Sequence, residues 1–227
     1  MRIRTLVKNI LPNPVYRLAD NIRIRLERVF NVKEKIIGED NSITYKYAVL
    51  KKVSFDIIGN NNIVIINNGC IINNVKFYIR GDNNHIILHE GIKCSGSSTF
   101  WTSCNNGYIE IGKNTSFENN VAFQIAENNL KIIVGEECMF SSNIYVWPQD
   151  WHQIIDKNGC RMNFSKDVII GNHVWIGYDT KILKGVEIGN NNIVGANSLV
   201  TKKFSEQNVL IAGSPAIIRK RDINWTW

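Results

Sequence analysis

The stretch "IGNHVW IGYDTK ILKGVE IGNNNI VGANSL", residues 170–199, followed by Val200, divides into sixes without a gap. Each six opens on an aliphatic residue: Ile170, Ile176, Ile182, Ile188, Val194 and then Val200. The fifth places hold Val174, Thr180, Val186, Asn192 and Ser198, mostly small or β-branched. Six residues turn an α-helix by about 600°, so a helix cannot keep every sixth residue on one face. Short strands meeting at corners can. With one aliphatic side chain pointing inward on each short run, three sixes close a triangular coil of eighteen residues. Successive coils then stack about 4.8 Å apart through parallel pairing.

Upstream the coils lengthen. "NNIVIINNG", "NNHIILHEG", "NNGYIEIGK" and "NNLKIIVGE" begin at Asn61, Asn83, Asn105 and Asn128, spaced 22, 22 and 23 residues. Each such coil carries four or five additional residues at a corner. Paired asparagines suit corners, because Asn tolerates left-handed backbone and bonds its own turn. They also allow side-chain ladders from coil to coil.

Composition limits the remaining choices. The chain has 227 residues, 44% hydrophobic and 21% charged, the balance of a soluble globular protein. No apolar run reaches the roughly 18 residues of a membrane span. Lys8 and Asn9 break the apolar start, which argues against a secretory signal. Cys70, Cys94, Cys104, Cys138 and Cys160 are odd in number and lack CxxC spacing, so they read as reduced apolar fillers of a cytoplasmic protein. Cys160 is the one candidate nucleophile among them, being near His152.

The net charge of +7 is concentrated at one end: residues 1–36 hold nine Lys/Arg against three Asp/Glu. There Asn13 is an N-cap candidate and Pro14 a first helical residue, with Val15, Leu18, Ile22 and Leu26 at helical spacing. This predicts a basic amphipathic helix that either caps the β domain or lies on an anionic membrane surface. The expected organisation is a helical segment over 1–36, a β-helix over 37–216 and a basic tail over 217–227. No aromatic and basic residues interleave along a platform, so nucleic acid is not an expected partner.

The monotony breaks at "PQDWHQIID", residues 148–156. His152 stands two residues after Asp150 and beside Trp147 and Trp151. Imidazole has the ordinary pKa for removing a proton at neutral pH. In an extended segment i and i+2 share a side, so Asp150 could orient the ring. His173, inside the unbroken six "IGNHVW", is the rival. His85 and His89 form HxxxH, a metal spacing only on a helix, and no metal is expected.

The unbroken sixes resemble those of the hexapeptide-repeat acyltransferases, whose fold is a left-handed parallel β-helix. The resemblance implies that hand, which the spacing alone does not. Residues 150–177, "DWHQIIDKNGCRMNFSKDVIIGNHVWIG", further resemble the O-acetyltransferases of capsular and sialic-acid-containing polysaccharides, with galactoside and maltose acetyltransferases as more distant relatives. The match spans roughly residues 55–220. It implies His152 as general base, Asp150 as its orienter and Trp175 beside the thioester. Acetyl-CoA is the implied donor, and a sugar or polysaccharide the acceptor. The donor is expected along Gly177, Tyr178 and Ala196, with its phosphates met by Thr201, Lys202, Lys203, Arg219 and Lys220. Ile217 stands where these relatives carry Lys or Arg. Trp147, Trp151, Arg161 and His173 are the candidate acceptor contacts. Trp147 replaces a common Arg, which favours ring stacking on a sugar face. A homotrimer with active sites between subunits is also implied. Two other readings stay open on the residues: an N-acetyltransferase of an amino sugar nucleotide, and a non-catalytic β-helix that binds carbohydrate or acts as a scaffold.

Overall fold

The computed structural model describes residues 29–227. Among them it is all β: a parallel solenoid whose strands form three sheets of ten, eight and seven strands. The first sheet runs from Val29–Phe30 to Ala216–Lys220, the second from Lys33–Ile37 to Leu199–Val200, and the third from Ser42–Thr44 to Glu187–Ile188. One coil visits each sheet once. In the second sheet the register Ser54↔Lys76 advances 22 residues and Thr99↔Ala122 advances 23, whereas Lys181↔Leu199 advances 18. The long coils below and the tight sixes above are those read from the sequence.

Corner chemistry follows from sterics. Of nineteen described non-glycine residues at positive φ, twelve are Asn, including Asn61, Asn83, Asn106 and Asn129. Asn pays less than other side chains for this backbone. The corners are also bonded from coil to coil: Asn60 N–H donates to Asp82 Oδ1 (2.7 Å), Asp82 N–H to Asn105 Oδ1 (2.8 Å) and Asn105 N–H to Asn128 Oδ1 (2.8 Å). A second ladder runs from the half-buried Asn41 through the buried Asn62 and Asn84, so these amides leave few backbone groups unsatisfied.

Inside, Phe55, Phe77, Phe100 and Phe123 stack rung on rung, with centroids 4.9 to 5.3 Å apart. All five fifth-place residues of the sixes are buried. So are Cys70, Cys94, Cys104 and Cys138. Burial pushes the Cys70 and Cys104 thiols up to about 11 and Cys138 to about 12, so they are fillers and not nucleophiles.

Both ends of the coil differ from the expected boundaries. Among the described residues the coil is already present ahead of residue 37, because Val29–Phe30 and Lys33–Ile37 pair in register with the strands of the next coil. The rest of the expected basic helix lies outside the described residues. At the other end, residues 216–220 are not a tail but an antiparallel return strand on Leu210–Gly213. It pairs with the N–H and C=O groups along the outer edge of Leu210–Gly213, the last parallel strand of the first sheet.

Candidate active site

Between Val146 of the second sheet and Val168 of the third, the chain leaves the coil as a long loop. Its base is closed by Lys166 N–H donating to Pro148 O at 3.0 Å. Its tip is a hairpin in which Met162 N–H donates to Ile154 O (2.8 Å), and Asp156 Oδ1 accepts the Asn158 and Cys160 N–H groups (both 2.8 Å). Cys160 is exposed at this tip, and so is the imidazole of His152.

Asn163 holds the catalytic candidate in place. Its Nδ2 donates to His152 O and to Asp150 Oδ2, both at 2.8 Å, while its Oδ1 accepts Ile154 N–H at 2.7 Å. One amide thus pins residues 150, 152 and 154. Lys184 Nζ adds an ion pair to Asp150 Oδ2. That pair, then the Asn163 bond, holds the Asp150 carboxyl below its usual range despite partial burial. Among the described residues no hydrogen bond joins Asp150 to the His152 ring, which the i, i+2 argument places on the same side: the backbone bends at residues 151–152, and the carboxylate turns to Lys184 and Asn163. It fixes the loop.

Arg161 is likewise already engaged. Its Nη2 donates to Glu127 Oε1 at 2.6 Å and to Asn163 O at 3.1 Å, and the ion pair keeps Glu127 below the usual carboxylate range. Its guanidinium braces the loop against the coil below. Trp147 donates its indole N–H to Gln124 Oε1 at 2.6 Å and stands edge-on to Trp151, centroids 6.4 Å apart. Trp151 leans on Trp101 and keeps 47% of its surface exposed.

Trp175 lies on another face. It points outward from the first sheet, in the row Lys93, Ser116, Met139, Trp175, Ile193, Leu210. The His152 loop leaves the corner between the second and third sheets. Within one chain the two candidates are therefore on separate faces of the prism. His173 is a corner residue with φ +53°, its ring stacked on Trp225 (4.3 Å, 7°) and its Nδ1 3.2 Å from Asn191 Oδ1. One ring face is covered, so within the chain His173 packs the C-terminal segment.

On the side of Trp175 toward the chain's C-terminal coils, small residues bare the backbone. A Cβ on Gly177 would meet Ala196 N at 2.6 Å, so Gly177 is required first by the next coil. Ala196 and the 51%-exposed Tyr178, whose hydroxyl accepts from Asn143 Nδ2 (2.8 Å), border this strip. Thr201, Lys202 and Lys220 are exposed; Lys203 is paired with Glu187, and Arg219 Nε donates to Ala212 O at 3.0 Å. A bared backbone strip together with exposed cations is the kind of surface that suits a long thioester donor with phosphates at one end. Asn163, Lys184, Glu127 and Trp225 went unassigned in the sequence. Only Asn163 carried a signal, its place within residues 150–177, the run that resembles the O-acetyltransferases.

Comparison with known proteins bears on all of this. The family model for bacterial transferase hexapeptide (six repeats) matches residues 167–202. A polysialic acid O-acetyltransferase of Neisseria meningitidis is 37% identical over 151 residues, 65% of this chain and 68% of that protein. Its Escherichia coli O1:K1 / APEC namesake is 37% identical over 118 residues, of which only 38% of the relative's length is spanned. Among solved structures, the polysialic acid O-acetyltransferase OatWY superposes with TM-score 0.75 at 32% identity, covering 86% of this chain and 91% of that one. The polySia-specific acetyltransferase NeuO gives 0.70 at 28%, covering 87% and 89%.

Proposed function

This chain belongs to the hexapeptide-repeat O-acetyltransferases, and from that premise we propose that it transfers acetyl from acetyl-CoA to a hydroxyl of a sialic-acid-containing capsular polysaccharide or its precursor. The observation that carries the mechanism is the pinned backbone of His152, which holds an exposed imidazole on a projecting loop. His152 takes the proton of the acceptor hydroxyl as the oxygen attacks the thioester carbonyl. The C–O bond forms, the C–S bond breaks, and the proton passes to the leaving thiolate. Transfer is direct, in a ternary complex, without an acyl-enzyme. Trp175 walls the thioester from water.

Because His152 and Trp175 lie on separate faces, the reading includes a homotrimer in which the loop of one copy reaches the Trp175 face of the next. Ile154, Ile155, Met162 and Phe164 on the hairpin are 58 to 66% exposed, an apolar patch that a second copy would cover. The left-handed sense of the coil and a cytoplasmic location, with the donor supplied there, belong to the same proposal.

The test is labelled acetyl-CoA with purified protein and polysialic acid. Label should enter the polymer as an alkali-labile ester. Alkali-stable label on an amine, or no incorporation into any glycan, rejects the reading.

A further inference from the structure

The row of outward residues through Trp175 continues toward the N-terminal coils into a concavity of about 420 Å³. Gly91, Lys93, Asn114, Ser116, Glu137 and Trp227 line it. That volume lies in the range of small-molecule sites. Its position is fixed by register: Ser116 is two coil steps from Trp175 and Lys93 is three, about 10 and 14 Å at ~4.8 Å per step.

The roof is anchored, not draped. Asn208 exchanges bonds with Ile223, its O accepting Ile223 N–H (3.0 Å) and its Nδ2 donating to Ile223 O (3.2 Å). Trp225, only 6% exposed, stacks on His173 and donates Nε1–H to His173 O at 3.0 Å. Trp227 then stands against Trp225, centroids 5.5 Å apart at 60°, and keeps 66% of its surface exposed. A large ring is thus held over a polar floor while remaining largely open to solvent. Neither Lys93 nor Glu137 is spent in an ion pair among the described residues.

We infer that this cavity is a distal acceptor subsite, taking a sugar residue of a polymeric glycan a few units away from the one acetylated beside Trp175. The inference rests on the proposed acetyl transfer to a polysaccharide. A pyranose presents an apolar C–H face and a rim of hydroxyls. Trp227 supplies a ring for the face. Around the rim Lys93 and Asn114 donate, Glu137 accepts, and Ser116 does both. Direction argues the same way. On the other side of Trp175 the row continues through Ile193 and Leu210, beside the strip of Gly177 and Ala196 assigned to the donor. An extended acceptor therefore runs the opposite way, over Met139 to Ser116 and Lys93.

Trp227→Ala removes the ring from an exposed position, and Ser116→Trp fills the cavity from its floor; thermal unfolding checks that both remain folded. Acetyl transfer is measured with a long polysialic acid and with its disaccharide, and binding of labelled polymer is measured by equilibrium dialysis without acetyl-CoA. Both variants should raise KM for the polymer about tenfold or more. They should leave the rate on disaccharide and the KM for acetyl-CoA as in the parent protein. Unchanged polymer KM in both, with transfer intact, overturns the subsite while sparing the proposed function. If the parent protein acetylates no glycan, the proposed function fails and dialysis decides: polymer bound by the parent and lost in both variants supports the cavity, and any other result overturns it.

Discussion

Asn163 Nδ2 donates to the backbone oxygen of His152 at 2.8 Å, so the residue proposed as base is held by its main chain while its imidazole stays free. The amide does this from eleven residues away, across the hairpin. Replacing Asn163 by Ala should therefore lower kcat about 10–100-fold through misplacement of the base. KM for acetyl-CoA should hardly move. A variant with normal kcat and a shifted acetyl-CoA KM would show that the clamp serves the donor instead.

His152→Ala should cost about 10²–10⁴ in kcat, the usual yield of general-base catalysis. Thermal stability should be unchanged, because the imidazole is exposed and outside the coil core. His173→Ala should behave the opposite way: it removes the ring that Trp225 stacks on, loosening the C-terminal segment, with less than about a tenfold effect on kcat. Near-normal turnover in His152→Ala would remove the assignment.

If the site spans two copies, inactive subunits should complement each other. Co-folding His152→Ala with Trp175→Ala in equal amounts should restore about a quarter of the parent activity, since only interfaces with both intact groups turn over. Activity no higher than that of either variant alone would place both groups in one chain's site.

The loop clamp should respond to acid. Lys184 and Asn163 depress the Asp150 carboxyl, and Arg161 depresses Glu127. Carboxyls lowered in the folded state contribute stability that is present above their unfolded values, about 3.9 for Asp and 4.3 for Glu, and that fades as pH falls through the depressed folded values. Protection of the amides in residues 150–163, relative to their intrinsic exchange rates, should then be high at neutral pH and fall below about pH 4. Lys184→Met should lower it already at pH 7. Exchange in that variant matching the parent protein at neutral pH would mean the ion pair contributes nothing.

Lys202→Ala combined with Lys220→Ala should raise KM for acetyl-CoA and leave kcat nearly intact, because phosphate contacts are alike in ground and transition states. Lys203→Ala is the comparison. Its ammonium is already paired with Glu187, so its effect on KM should be smaller. Equal KM values in all three proteins would remove the donor strip from the lysines.

In the core, Phe123→Ala should cost about 3–5 kcal/mol, measured by denaturant unfolding. Its ring touches Phe100, Phe117 and Phe140 at once, and coils packed this tightly have little freedom to close the void.

The sequence by itself determined the coil, its two periods, the Asn corners and the place where the loop leaves. Those are repeating, short-range properties: an aliphatic residue every sixth position points inward whatever lies elsewhere. It also marked His152, because the break in the pattern is itself local. What holds His152 was decided only by the tertiary structure. Lys184 meets Asp150, and Arg161 meets Glu127, across 34 residues each, and Trp225 reaches His173 across 52. Coil stacking brings such pairs together by register, and an inserted loop resets where its side chains land. Asp150 shows the consequence. Its spacing from His152 promised a shared side, but a bend in the backbone and a lysine from the following coil turned it into the anchor of the loop.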